Sequence, residues 1–454
     1  MSKLPEAGRA PSEIEILEKL ARIYTALVDD IHAIETYEAL AVRAARDGLI
    51  DVEVRALVDL AYPLAWTSSQ RSLEVLERAV RLSARQENPL LRTRARANCF
   101  ALRLWQEGNY QDAVDFQNAF AKIVVANDRR ILAPYLADRG FISWISSDYR
   151  EARRSLIESN FILFETVEES PYLNAAYVRG RFSLTWTLVF LGEWGEALRE
   201  IEGAIAMFDK NANFQWGQGM RLHRAWVSLH AMDFAGVLAI CNSTPPLIRD
   251  PAPHPAPDYP TPYPAVILMC LLLTGSAETA LGNYESALEH LLAARAIMDR
   301  SAVIFVWIWR MPLESALTEL WLAKGDVVQA RLQAERFLAI TLAKAERTWQ
   351  VLAWEMNARV AMAAHDLTRA QDCIAKGLSA MEGFEVPLAA WRVHATAFEL
   401  YQNSGDRDSA ERHLAHSREA FMKLANSLPT EELRQTYLSA PVVRKILVRV
   451  NYSR

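Results

Sequence analysis

One six-residue phrase returns about every 40 residues along this chain, and no other feature limits the fold as strongly. It runs small residue, then Asp, Asn or Glu, then an aromatic or aliphatic residue, two variable positions and usually Ala. The clearest copies are Gly108-Asn109-Tyr110 with Ala113, Gly192-Glu193-Trp194 with Ala197, and Gly282-Asn283-Tyr284 with Ala287. Close variants are Ser147-Asp148-Tyr149 with Ala152, Gly325-Asp326-Val327 with Ala330, and Gly405-Asp406-Arg407 with Ala410. Weaker copies are Asp233-Phe234 with Val237 and Asp366-Leu367 with Ala370, and degenerate ones stand at Asp30-Ile31 and Ser69-Gln70. Counted from the acidic or amide position, the intervals are 39, 40, 39, 45, 40, 50, 43, 40 and 40. A step held across a whole chain marks a repeat architecture.

Each phrase has the chemistry of a helix–turn–helix. Gly ends the first helix, because it enters the left-handed backbone region without a steric penalty. The Asp or Asn caps the next helix by accepting a hydrogen bond from a backbone N–H. The aromatic residue packs at the turn, and the small Ala lets the paired helices approach closely. Beyond the turn, apolar residues keep helical spacing, as at Leu288, Leu291, Leu292 and Ile297. One hairpin cannot bury its apolar face alone, so neighbouring hairpins must stack.

These residues resemble the tetratricopeptide repeat, with its Gly–acidic–aromatic turn and the Ala of its second helix. The resemblance covers nearly all of the chain, although the step is longer than the usual 34 residues. It implies an all-α fold: a right-handed tetratricopeptide-like solenoid of about nine or ten hairpins with a C-terminal capping helix. The stretches Pro387–His394, Leu433–Leu438 and Pro441–Arg444 resemble the ends of repeat regions in bacterial multi-domain signalling ATPases and transcription regulators. That resemblance implies a scaffold or a sensor in regulation.

Boundaries follow from capping and proline. Ser12 with Glu15 reads as a capping box, so the first helix starts there and residues 1–11 form a mobile lead. Residues 245–264 hold nine of the prolines, too many for helix, and read as a stiff surface loop or as a partner-contact loop anchored by Tyr259 and Tyr263. The solenoid then runs over 12–428. After Pro429, Thr430 can cap a short helix, Pro441 breaks it, and Val442–Val450 can form a last helix covering the end of the array.

Charge and composition exclude several classes. A net charge of −5 gives no general case for nucleic acid or an anionic membrane. The purely apolar run Val266–Leu273 is too short for a membrane span, and the N-terminus has no apolar signal core. Cys99, Cys241, Cys270 and Cys373 form no disulfide-like pattern and read as buried thiols, so a cytoplasmic location is expected. Gly217-Gln218-Gly219 lacks the rest of a dinucleotide fingerprint, and no Walker loop, nucleophile elbow or HExxH occurs. The expectation is a non-enzyme with no cofactor. His413 and His416 stand three apart on one predicted helix and could share a metal, but no third ligand has suggestive spacing, so no metal is assigned. His223 and His230, seven apart, face the same way on another helix.

The tetratricopeptide pattern implies that each first helix lines the concave surface, seven and four residues before the turn's acidic position. Those positions hold Trp105, Phe141, Trp144, Trp186 and Trp226, with Phe182 and His223 one turn earlier in their helices. Later equivalents are more polar: Glu319, Glu355, Arg359, Glu399 and Gln402. The aromatics read either as inter-repeat core or as a groove for a peptide, protein segment or small apolar ligand. The sequence leaves the assembly state open, since the end faces of solenoids can stack.

Overall fold

The computed structural model describes residues 12–27, 29–108, 115, 129–166, 171–210, 214–245, 264–300, 305–384 and 386–448. Regular structure among them is entirely α-helical. The helices pair as the phrase predicts. The first pairs are α1 (Glu13–Ala26) with α2 (Asp30–Arg46) and α3 (Ile50–Thr67) with α4 (Ser69–Ser83). Next, α5 (Pro89–Glu107) ends at Gly108, and the continuation of its phrase at Asn109, Tyr110 and Ala113 lies outside the described residues. Then come α6 (Arg129–Ile145) with α7 (Tyr149–Thr166), α8 (Pro171–Leu191) with α9 (Trp194–Lys210), and α10 (Phe214–His230) with α11 (Phe234–Ser243). The array continues with α12 (Pro264–Leu281) and α13 (Tyr284–Arg300), then α14 (Val306–Ala323) and α15 (Val327–Leu342). It closes with α16 (Arg347–Ala363) and α17 (Leu367–Met381), then α18 (Pro387–Ser404) and α19 (Arg407–Ser427).

One residue serves two helices at each turn. The N–H of Asp148, Glu193, Asp233, Asn283, Asp326, Asp366 and Asp406 each donates to the carbonyl five residues back, at 2.8–3.0 Å, closing the helix before it. The carboxylates of Asp148, Asp233, Asp326, Asp366 and Asp406 also accept from the N–H three residues on, at 2.9–3.1 Å, capping the helix after. In the first copy the cap is Asp29, which accepts from the His32 N–H, and not Asp30 as the phrase count gives. At Ser68 the cap has no side-chain hydrogen bond, in keeping with the degenerate copy there.

The residue before the acid is left-handed whether or not it is glycine. Gly192, Gly282, Gly325 and Gly405 have φ of 75°, 85°, 75° and 83°, while Ser147, Met232 and His365 are held at 66°, 60° and 61°. The Ala of the phrase is buried in each of Ala152, Ala197, Ala287, Ala330 and Ala370, where the helices cross.

First and second helices differ in what they bury. Second helix α9 buries one stripe: Trp194, Ala197, Ile201, Ala204 and Phe208. In α13 the buried set is Ala287, Leu291, Ala294 and Met298, while Leu292 stays exposed. First helices α12 and α16 are buried nearly all round, since each packs on the first helices before and after it as well as on its hairpin partner. Helix α12 is long and apolar enough to cross a membrane, but over half of it is buried in the fold. All four cysteines are free and buried.

The array also touches itself across its axis: α1 meets α8, α5 meets α14, α8 meets α18 and α9 meets α19. Two short helices follow α19. Thr430 caps α20 (Glu431–Ser439) by accepting from the Leu433 N–H at 3.3 Å. Helix α20 ends before Pro441, and Pro441 itself opens α21 (Pro441–Val448), where its missing N–H costs nothing. Tyr437 of α20 stacks on Phe421 at 4.3 Å and meets Trp194 edge-on at 5.3 Å. At the other end, the Ser12–Glu15 capping box forms in both directions. The lead before residue 12 lies outside the described residues.

The turn geometry makes a paired prediction. His365 is exposed, so His365→Gly should relieve left-handed strain and raise stability by about 1 kcal/mol. Gly405→Ala should lower it by a similar amount, with free space around the added methyl. Denaturant midpoints of the two variants check the signs.

Candidate functional site

The structure brings the sequence-selected aromatics together. Trp105 ends α5, Phe141 and Trp144 lie on α6, Phe182 and Trp186 on α8, and His223 and Trp226 on α10. Trp144 stacks obliquely on Phe141 at 5.9 Å and on Trp186 at 5.3 Å. The Trp186 indole N–H donates to His223 Nε2 at 2.7 Å, and His223 Nδ1 is 2.8 Å from the Gly219 carbonyl. Those two contacts fix the imidazole as neutral with its proton on Nδ1. Phe182 meets the same ring edge-on at 4.7 Å. His230, about two turns along the same face, is also buried and packs against Trp194 and Trp226. Trp144 is 1% exposed, and of these aromatics Phe182 alone is half-buried.

What covers them is another part of the same chain. Phe305, Trp307 and Trp309 enter the groove from the start of α14. The Phe305 N–H donates to the Trp105 carbonyl at 2.7 Å, and the Trp307 indole N–H donates to that same oxygen at 3.1 Å. The Phe305 ring lies 5.6 Å from Trp105, 5.6 Å from Phe141, 6.1 Å from Trp66 and 6.5 Å from Trp186. Trp309 reaches His223 at 5.7 Å and Trp226 at 5.9 Å. Phe305 holds φ of 65° to do this, a backbone state that a bulky residue rarely adopts. Sequence reasoning did not select Phe305, Trp307, Trp309, Trp66 or Trp216. The only signal was the aromatic density of the Phe305–Arg310 run, which sits too far before its turn for the groove positions.

Filling is incomplete. A cavity of about 70 Å³ remains, with Trp66, Phe182, Trp186, Trp216, His223, Phe305, Trp309, Val266 and Met269 in its wall. Arg179 borders it and is the main charge there. Its guanidinium donates to Asp138 at 3.0 Å and lies 4.2 Å over the Trp105 ring, with both partners of the ion pair buried. Burial pushes the Asp138 carboxyl up, and the Arg179 charge opposes that rise.

The polar half of the inner wall is self-paired. Arg359 grips Glu319 with two hydrogen bonds of 2.5 and 2.8 Å, and Glu355 accepts from the Thr396 hydroxyl at 2.6 Å. Tyr259 and Tyr263 lie outside the described residues.

A second, larger opening forms where the hairpin of α6 and α7 meets the α17–α18 turn. This cleft holds about 850 Å³. Its back is a seam: the Tyr149 hydroxyl donates to the Glu346 carboxylate, and the Arg347 N–H donates to Ser147 Oγ at 2.7 Å. Glu346 in turn caps α16, accepting from the N–H groups of Thr348 and Trp349 at 2.9 Å each. Burial pushes the Tyr149 hydroxyl well up and the Glu346 carboxyl up, and the hydrogen bonds that Glu346 accepts oppose its rise. Ile157, Leu191, Met381 and Phe384 supply apolar wall, and the cations Arg150, Arg153, Arg154 and Lys423 face two carboxylates, Asp148 and Glu193. These charges are already partnered in the fold: Asp148 caps α7, Arg153 pairs with Glu193 at 3.1 Å and Glu196 at 2.8 Å, and Arg154 pairs with Glu151. Nothing in the sequence pairs the α7 arginines with Lys423, because superhelical closure alone makes them neighbours.

No protein-family model matches the chain, and no curated protein matches it. Among solved structures it is similar to a Rap protein complexed with competence and sporulation factor, with TM-score 0.59 and 13% identity over 83% of this chain and 99% of that one. NprR in complex with its cognate peptide NprX gives TM-score 0.47 and 11% identity over 88% and 99% of the two chains. Yeast Tom70 gives TM-score 0.35 and 9% identity over 97% of each. At such identities the likeness is one of fold, and that fold is a tetratricopeptide-like helical repeat.

The buried imidazole makes stability depend on pH. Burial lowers the His223 pKa from 6.5 to about 4, so the unfolded chain takes up its proton first. Its contribution is complete above pH 6.5 and is lost as pH falls towards 4, by roughly 2 kcal/mol between pH 7.5 and pH 5. In His223→Gln that part of the acid slope should vanish from denaturant midpoints. An unchanged slope would contradict a neutral, buried His223.

Proposed function

We propose that this chain is a non-catalytic scaffold that holds an acidic, amphipathic peptide or protein segment. The observation that carries the reading is the cleft of about 850 Å³, whose apolar wall is bordered by four cations and two carboxylates. A segment with alternating acidic and apolar side chains satisfies both surfaces at once, its carboxylates forming charge-assisted hydrogen bonds with the arginines. The reading departs from a peptide in the aromatic groove, because the chain's own Phe305–Trp309 already occupies that groove. The cleft offers size and charge complementarity, with an acidic segment exchanging its carboxylates for the ion pairs that Arg153 and Arg154 make within the chain. The Rap structure of similar fold is itself a complex, with competence and sporulation factor. The resemblance of the chain's last repeats to those of bacterial signalling ATPases and transcription regulators supports a place in regulation.

A second reading rests on the smaller cavity. Aromatic lining with Arg179 at its border suits a compact apolar ligand carrying a polar or anionic tip, which would make this chain a sensor. Trp186, His223, Phe182 and Trp309 would then be its contacts.

The two separate in one binding experiment. A fluorescein-labelled peptide alternating Glu with Leu and Phe is titrated with the full chain, beside a Lys-for-Glu control peptide. The scaffold reading expects saturable binding of the acidic peptide only, weakened at least tenfold by Arg150→Glu with Arg154→Glu and weakened by salt. Binding that ignores these charge reversals but is lost in Trp186→Phe would refute the cleft and move the site to the aromatic cavity.

A further inference from the structure

The fold completes the histidine pair that the sequence left short of a ligand. His413 and His416 lie on α19, and His394 comes from α18, across the hairpin turn at Gly405. His394 and His416 stand equally far before and after Gly405, so an antiparallel pair of helices places them at the same height. His413, three residues from His416, projects from the same face. The ring centroids of His394 and His413 are 5.1 Å apart, and those of His394 and His416 are 4.9 Å apart. His394 Nδ1 is 2.9 Å from His413 Nδ1, and one candidate ligand nitrogen from each of the three rings lies within 4.8 Å of the others. Among the described residues this is the one such group of His, Cys, Asp or Glu.

We propose that His394, His413 and His416 form a binding site for a divalent transition-metal ion of borderline softness, Zn²⁺ foremost. Two observations support it, beyond the distances themselves. The donor set is all imidazole, which suits Zn²⁺, Cu²⁺, Ni²⁺ and Co²⁺ and disfavours Mg²⁺ and Ca²⁺, which require oxygen. The His413 ring is stacked flat on Tyr401 at 5.3 Å, which orients it by packing.

The geometry asks little adjustment. Zn–N distances near 2.0–2.1 Å in a tetrahedral site place the nitrogens about 3.3 Å apart. Small ring rotations bring nitrogens from their present separations to that value, and His416, the exposed member, has the freedom to move. Three protein ligands leave one tetrahedral position for water or for a donor from outside the chain, the arrangement of open rather than closed zinc sites. The ion would tie α18 to α19 near the end of the array.

The test uses the full chain without a histidine tag, stripped with EDTA. Titration with Co²⁺ should give the strong visible absorption of a tetrahedral site, saturating at one equivalent, and Zn²⁺ should displace it. His394→Gln should weaken Co²⁺ binding about tenfold or more, as should His416→Ala, which changes an exposed ring and leaves the fold intact. His365→Ala, a histidine outside the cluster, should leave it unchanged. Absence of saturable absorption, or binding that survives both His394→Gln and His416→Ala, would overturn the proposal.

Discussion

One carbonyl oxygen organises the inside of this superhelix. The Trp105 carbonyl, at the C-terminal end of α5, has lost its intrahelical partner, as the last carbonyls of any helix do. It accepts instead from the Phe305 N–H at 2.7 Å and from the Trp307 indole at 3.1 Å. Those two bonds hold an aromatic segment two hundred residues further along the chain against α5, α6 and α8. The left-handed Phe305 then turns its ring into Trp66, Trp105, Phe141 and Trp186. Oblique and edge-on aromatic pairs of this sort contribute about 0.5–1.5 kcal/mol each beyond the area they bury. That gain offsets the strained backbone at Phe305.

The consequence is a solenoid that departs from the one-dimensional behaviour of its class. In an open array each repeat is stabilised by its neighbours alone, and ends can unravel separately. Here α5 meets α14, α8 meets α18 and α9 meets α19, so distant repeats share a core. The same closure generates the cleft. Arg150, Arg153 and Arg154 belong to α7 and Lys423 to α19, and only the curvature of the array sets them around one opening. Filling the aromatic groove and opening the cationic cleft are two results of one curvature.

The fold was legible because its signal is local. A residue such as Asp326 closes the helix before it and caps the helix after it, so each turn writes its chemistry into a few adjacent positions. Even copies without glycine, such as Ser147 and His365, keep the left-handed turn, which is why the weak phrases still mark real hairpins. The inner aromatics were legible for the same reason, as fixed offsets from each turn. Their surroundings were not. Whether Trp186 faces a ligand or a neighbour depends on Phe305 and Trp309, and no local rule connects positions so far apart. The histidine cluster is intermediate: equal distances from Gly405 could have paired His394 with His416, had the hairpin been read across its turn instead of along each helix.

Native-state hydrogen exchange at the Phe305 amide tests the central claim most directly. Phe305 precedes the first turn of α14, where no helical hydrogen bond protects an N–H. If the chain fills its own groove, that amide is protected to the level of the α8 core, since freeing it requires breaking the Trp105 contact and undocking the segment. Exchange at the rate of an exposed loop, alongside protected α8 and α16 amides, would mean that the groove stands open and that the aromatic inner wall is free to bind.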